Sequence, residues 1–182
     1  MMYSLYFKPF PKIKVGNLLL RFNKFRDIKD IYEIYKDKDV CKYSDILVYD
    51  SISDARYYFF NNIKKYINNC CYSFMVEDTN INKVIGTVSI TQCSYNYKIV
   101  QIGYSFNKNY HRQGYATKAV NAFVEFCFEK LKTERVEAMV LVDNMPSIKL
   151  LEKLGFKNEG LLKKGGMLDG KAKDVFMFAK YK

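Results

Sequence analysis

His111-Arg112-Gln113-Gly114-Tyr115-Ala116-Thr117 puts a glycine turn directly ahead of a helix, and the segments on either side establish what it joins. Upstream, Ile99 to Phe106 alternates as a half-buried strand does, with Val100, Ile102, Tyr104 and Phe106 on one face. Downstream, Ala116, Ala119, Val120, Phe123, Val124, Cys127 and Leu131 fall on one helical stripe, opposite Lys118, Asn121, Glu125 and Glu129. The whole reads strand, short loop, glycine turn, helix. The first N–H groups of a helix have no carbonyl to bind and together carry roughly half a positive charge, so such a turn is a ready anion site. Small residues at Gly114 and Ala116 let a phosphate approach the backbone, while Thr117 adds a hydroxyl and Arg112 a cation. A lone glycine ahead of an amphipathic helix is more often only a turn, so the motif needs company.

A second constellation supplies it. Val136 to Val142 reads as a buried strand, followed by Asp143-Asn144-Met145-Pro146-Ser147 and then Ile148-Lys149-Leu150-Leu151-Glu152-Lys153-Leu154-Gly155-Phe156. Pro146 suits the first turn of a helix and Gly155 the position just past its end, so the spacing predicts a helix of about eight or nine residues between them.

The two signatures together resemble the GNAT superfamily of acyl-CoA-dependent N-acetyltransferases, in particular the branch that includes the ribosomal-protein N-terminal acetyltransferases. The family's pyrophosphate loop, Q/R-x-x-G-x-G/A, falls on His111 to Ala116, with the first position departing from the pattern. Gly114-Tyr115-Ala116-Thr117, Gln101-Ile102-Gly103-Tyr104 and the run from Asn144 to Phe156 match that branch. The resemblance is strong over residues 83–182 and extends to the remainder by element order. It implies an α/β (α+β) fold in one N-acetyltransferase domain over 1–182, with a mixed, mainly antiparallel central sheet of about seven strands flanked by about four helices.

Composition agrees. A chain of 182 residues, nearly half of them apolar, is ample for one core. No run approaches the roughly 20 apolar residues of a membrane span, and the start lacks the order of a signal peptide, so a cytoplasmic location with no membrane partner is expected. Cys41, Cys70, Cys71, Cys93 and Cys127 show no metal or redox spacing and read as small core residues. His111 is the chain's one histidine and belongs to the glycine loop, which excludes a multi-histidine metal site and disfavours a Cys–His dyad. The net charge of +11 is spread along the chain rather than gathered in a tail, which reads as solubility more than as a dedicated nucleic-acid surface and leaves ribosome association open. Arg112, Lys149 and Lys153 lie near the two signatures, where they would favour a phosphorylated co-substrate.

The rest of the chain carries patterns without motifs. Val15 to Phe22 reads as one strand, and Asp27 to Lys36 as a helix with Ile28, Ile31, Tyr32 and Tyr35 inward. Ser51 caps a second helix with Asp54 three residues on, and Ile52, Ala55, Phe59, Ile63 and Tyr66 or Ile67 make its stripe. Cys71 to Glu77 and Lys83 to Gln92 form a hairpin around residues 78–82, and Phe156 to Lys163 and Asp174 to Lys180 form another around Gly165 to Gly170. Aromatic residues of the first helices, Tyr32, Tyr57, Tyr58, Phe59 and Phe60, read mostly as core.

Direct acetyl transfer from a thioester needs a deprotonated amine, a stabilised oxyanion and a protonated leaving thiolate. The resemblance places Ser105, Phe106, His111, Arg112, Gln113, Gly114, Tyr115, Ala116, Thr117, Asn144 and Ser147 against acetyl-CoA, with no metal. It places a bulge at Gly103 that would turn backbone near Tyr104 toward the thioester oxygen, and it leaves Ser147 to donate to the sulfur. Two positions depart from the family. Gln101 stands where the branch often has a glutamate base, and Leu151 where many members have a tyrosine acid. The expected acceptor is a protein N-terminal amine, with a small-molecule amine such as an antibiotic as the alternative and a non-catalytic acyl-CoA-sensing domain as a third reading. Monomer and homodimer are both compatible with the sequence.

Overall fold

The computed structural model describes residues 7–44, 46–68, 72–94 and 96–182. The strands are β1 (Ile13–Val15), β2 (Leu18–Arg21), β3 (Tyr72–Asp78), β4 (Lys83–Ser94), β5 (Ile99–Phe106), β6 (Arg135–Leu141), β7 (Lys157–Leu168) and β8 (Lys171–Tyr181). They form one sheet in the order β1-β2-β3-β4-β5-β6-β8-β7. Every neighbouring pair is antiparallel except β5–β6. The helices are α1 (Ile28–Tyr35), the single turn α2 (Lys38–Cys41), α3 (Ile52–Ile67), α4 (Tyr115–Glu129) and α5 (Met145–Lys153).

The sheet has eight strands, in keeping with the expected architecture, and the stretch Val15 to Phe22 is divided between two of them. Gly16 takes φ +56° and, with Asn17, closes a hairpin in which Val15 pairs with Leu18. Gly-Asn is itself a two-residue hairpin signal, and here it outweighs the apolar run around it. The final hairpin is also longer than expected. Its strands run through Gly165 and Gly166, where a Cβ would come within 2.7 Å of Leu162 Cβ and of Val175 Cγ1 respectively. These glycines serve close packing against Val175, and the turn falls at Asp169-Gly170.

Apolar side chains divide between the two sheet faces. On one face Val100, Ile102 and Phe106 join Ala119, Val120, Phe123, Val124 and Cys127 of α4 and Ile148 and Leu151 of α5. On the other, Ile31, Ile34 and Tyr35 of α1 meet Ala55 and Phe59 of α3 over Met75 and Val84. The Ser51–Asp54 capping box forms as expected. Tyr66, not Ile67, completes the α3 stripe, its hydroxyl donating to Phe7 O at 2.6 Å while Ile67 is exposed. Cys41 and Cys127 are buried as expected, Cys93 is exposed, and Cys70 and Cys71 lie outside the described residues.

A buried ionic cluster ties β2, β3 and the entrance to α1. Arg21 reaches Asp27 through two bonds of 2.7 and 2.9 Å and pairs with Glu77, whose other oxygen accepts from Arg26 at 2.5 Å. Burial pushes the Glu77 carboxyl up, but its bond to Arg21 and the charges of Arg21, Arg26 and Lys24 outweigh this and leave it below its ordinary 4.5. Glu77 therefore contributes stability that is complete above 4.5 and is lost as pH falls through its depressed value. Replacing Asp27 by Ala leaves a guanidinium that is 2% exposed with two bonds unmade and Glu77 as its remaining buried carboxylate, and chemical denaturation is expected to show a loss of about 1.5–3 kcal/mol. A loss under about 1 kcal/mol would show that water reaches Arg21.

Candidate active site

The site begins where two strands part. β5 pairs with β4 along its length, from Ile99 opposite Ser94 to Phe106 opposite Gly86. Its parallel pairing with β6 lasts only through Ile99–Arg135, Val100–Val136 and Gln101–Glu137, after which β6 follows β8 as far as Leu141 opposite Val175. Among the described residues, no strand lies beside the β6-facing edge of β5 from Ile102 onward. A cavity of about 950 Å³ fills the opening and continues beneath α3 and the segment that precedes it. Gln101, Tyr104, Ser105, Asn144 and Ser147 line it.

The expected bulge at Gly103 lies instead on the neighbouring strand. Pairing shifts between Ile90 and Gln92, so the extra residue is Thr91 of β4, and β5 runs through Gly103 without interruption. A Cβ at Gly103 would lie 3.2 Å from Thr91 Cγ2, so this glycine makes room for the bulged threonine. The backbone that faces the opening is therefore the regular edge of β5.

Two hydroxyls meet across the opening. Tyr104 Oη and Ser147 Oγ are 2.6 Å apart. Burial pushes the Tyr104 hydroxyl up to about 12. Ser147 does not cap α5. Asn144 does, its Oδ1 accepting from Ser147 N at 3.2 Å, and Pro146 and Gly155 bracket the helix as the spacing predicts. Gln101 accepts from Thr91 Oγ1 at 3.2 Å, and its register neighbour Glu137 is held by Arg135 at 2.6 Å.

The glycine turn follows the end of β5 and does not line the cavity. Gly114 takes φ +81°, and a Cβ there would meet open space, so the backbone conformation rather than crowding requires glycine. The α4 ladder opens with Lys118 N donating to Gly114 O at 3.0 Å, which leaves the N–H groups of Tyr115, Ala116 and Thr117 ahead of it. Several side chains of the turn that are expected at the co-substrate also bond within the protein. His111 Nε2 is 2.9 Å from Phe106 O, Gln113 Nε2 donates to Asn109 O at 2.9 Å, and the Tyr115 hydroxyl bonds Asp78, which pushes it up. The Phe106 ring is buried in the core, so only its backbone is near the site.

Sequence reading missed the floor and one wall of the cavity. Thr87, Ser89 and Thr91 alternate with Val88 and Ile90 along β4, and this period-two pattern was the available signal for a polar face. Ser89 Oγ donates to Ser73 Oγ at 2.9 Å, and Thr87 Oγ1 is 2.9 Å from the Tyr35 hydroxyl. Tyr49 and Tyr58 pack against the Tyr35 ring with centroids 5.2 and 5.5 Å away, and Tyr57, 74% exposed, stands at the mouth.

A strand pair that opens over a cavity, followed by a helix whose first amides are free, is an arrangement for holding an extended phosphorylated molecule beside a second reactant. Residues 17–157 match the model of the acetyltransferase (GNAT) domain. The chain belongs to the GNAT N-acetyltransferases. The N-acetyltransferase p20 of Bacillus licheniformis is 32% identical over 169 residues, covering 89% of this chain and 91% of the relative. The ribosomal-protein-S5-alanine acetyltransferase of Vibrio fischeri superposes with a TM-score of 0.79 at 23% identity, over 94% of this chain and 96% of that one. RimL, a ribosomal L7/L12 alpha-N-protein acetyltransferase solved with coenzyme A, gives 0.82 at 20% identity over 94% and 98%. At these identities the two structures speak to the GNAT fold, a mixed and mostly antiparallel sheet with helices on both faces. No helix among the described residues is long and apolar enough to cross a membrane.

Proposed function

We propose that this GNAT enzyme transfers the acetyl group of acetyl-CoA directly to a protein N-terminal amine, as one cytoplasmic domain over residues 1–182, without a metal or a covalent enzyme intermediate. The observation that carries this reading is the cavity that joins the hydroxyl-lined floor to the parting of β5 and β6. Bringing amine and thioester together in one enclosure supplies much of the rate enhancement. The amides ahead of the α4 ladder suit the pyrophosphate, with Arg112, Lys149 and Lys153 as nearby cations. The free edge of β5 around Tyr104 supplies N–H donors for the developing oxyanion, and Ser147 stands on the side where sulfur leaves.

The lining also bears on the acceptor. Among the described residues its charged side chains are Asp50, Asp54 and Lys65, all from the α3 side, and its interior groups are hydroxyls and amides. None of the residues outside the described set is lysine, arginine or histidine. A free amino acid would bring a carboxylate next to its amine with no buried cation to meet it, whereas a peptide brings an amide carbonyl that neutral hydroxyls can satisfy. The local acidic excess against an overall charge of +11 favours an incoming amine, and the basic exterior is suited to ribosome association.

Thiol release from acetyl-CoA, measured with a panel of peptides, amino acids and small amines, tests the acceptor directly. Turnover is expected with peptides that have a free N-terminus, and a preference for free amino acids or drug-like amines would replace this acceptor by the other.

Gly114→Val forces a β-branched residue into a left-handed conformation at the start of α4. Calorimetry is expected to show coenzyme A binding weakened at least about tenfold, about 1.4 kcal/mol, and unchanged affinity would remove the phosphate site from this turn. Gln101→Glu restores a carboxylate at the floor beside Thr91 and is expected to raise the rate or move the pH–rate profile to lower pH, while Gln101→Ala costs little. A large loss in the alanine variant with coenzyme A binding intact would make Gln101 a positioning residue.

A further inference from the structure

The hydroxyl pair across the opening has a feature that neither member shows alone. Tyr104 lies three residues beyond Gln101, the last residue of β5 to pair with β6, and Ser147 lies in the first turn after β6. Their 2.6 Å bond therefore joins the two sides of the gap into which the thioester must reach. Helix α5 makes no demand on the Ser147 hydroxyl, because Asn144 provides the cap.

Resting on the acetyl-CoA reading, we propose that the Tyr104 hydroxyl is a positioning group: it donates to Ser147 Oγ and so turns the serine O–H toward the sulfur of coenzyme A. Two hydroxyls share one hydrogen in the bond between them, and the other hydrogen is left to donate elsewhere. A phenol is far more acidic than an aliphatic alcohol, so the phenol is the donor in the pair and the serine hydrogen is the one left over. A phenol is protonated at neutral pH and the Tyr104 ring packs against the main core, so the donor is present and fixed.

The two faces of β5 divide the reaction accordingly. Gln101, Gly103 and Ser105 alternate onto the face of the hydroxyl floor, where the amine arrives, and Tyr104 falls on the opposite face with Ile102 and Phe106. Nitrogen attacks from one face and sulfur departs toward the other. The C–N bond forms, the C–S bond breaks, and its electron pair goes to sulfur, which Ser147 meets with a hydrogen bond. The proton that nitrogen gives up to solvent in the cavity balances the one that the thiol finally holds.

The test reads the thiol of bound coenzyme A, by the ultraviolet absorbance of its thiolate as pH is varied, and needs no acceptor. Donation from Ser147 favours the thiolate, so both Tyr104→Phe and Ser147→Ala are expected to make the bound thiol about tenfold less acidic, and the double variant no more than either alone. Tyr104→Phe keeps the ring, so coenzyme A affinity by calorimetry should stay within about threefold of wild type. With acetyl-CoA and a peptide that the wild-type protein turns over in the acceptor panel, kcat should fall about tenfold while KM for acetyl-CoA hardly moves, which a loss of packing would not produce. If Tyr104→Phe leaves the thiol titration in place while Ser147→Ala moves it, or if the two effects multiply, Tyr104 does not orient the serine. Absence of coenzyme A binding by the wild-type protein would overturn the acetyl-CoA reading as well, which calorimetry separates from failure of the pair alone.

Discussion

Everything functional in this molecule depends on β5 staying with β4 and leaving β6. A twisted sheet has no intrinsic reason to open in its middle, so the choice must be enforced by side chains. Phe106 and Gly86 enforce it. A Cβ at Gly86 would overlap the Phe106 ring and come within 2.7 Å of Ser105 O, so the aromatic ring lies directly on the backbone of β4 at the last pair of the ladder. On the other side, β6 is held to β8 through seven consecutive pairs, ending at Leu141–Val175. Each strand is bound to its outer neighbour more extensively than to the other, and with three parallel pairs between them the gap opens where those pairs stop.

The opening is sustained from below rather than left empty. Ile148 and Leu151 of α5 and Val140 of β6 join the same core as Phe106 and Phe123, so a packed helix layer backs the diverging strands behind the cavity. The Arg21–Asp27–Glu77 cluster performs a related task on the opposite side, holding the start of α1 against β2 and β3 so that Tyr35 can reach Thr87 from the acceptor wall. Burying three charges there contributes position more than stability, since ion pairs in low dielectric repay little beyond their own desolvation.

Local signals carried the donor side of the site. The glycine turn, the α4 stripe, Pro146 and Gly155 are contained in short windows, and each appears where the residues place it. What was not legible depends on partners distant in sequence. A bulge belongs to a pair of strands, and only the β4–β5 register shows that the extra residue is Thr91 rather than one next to Gly103. The Tyr104–Ser147 bond joins residues 43 apart, and no window contains both. The glycine turn was legible as a turn but not in its side chains, because His111, Gln113 and Tyr115 find their partners in Phe106, Asn109 and Asp78. The Gly16-Asn17 turn was legible as a dipeptide, and it divides an apolar run that by itself reads as one strand.

The division of the cavity between two kinds of structure has a consequence for specificity. The groups we assign to acetyl-CoA sit on β5, the α4 start and α5, rigid elements whose mutual placement is set by backbone pairing and by the core. Acceptor-side groups come from α3 and the segment preceding it, together with the outward hydroxyls of β3 and β4. Those hydroxyls are side chains on a face that the main core does not use, so they can be exchanged without disturbing the strand register or the Phe106–Gly86 contact. The acceptor wall can therefore vary while the chemistry of the thioester stays where the parted strands put it, and the strict requirement at the sheet falls on shape rather than on any one reactive side chain.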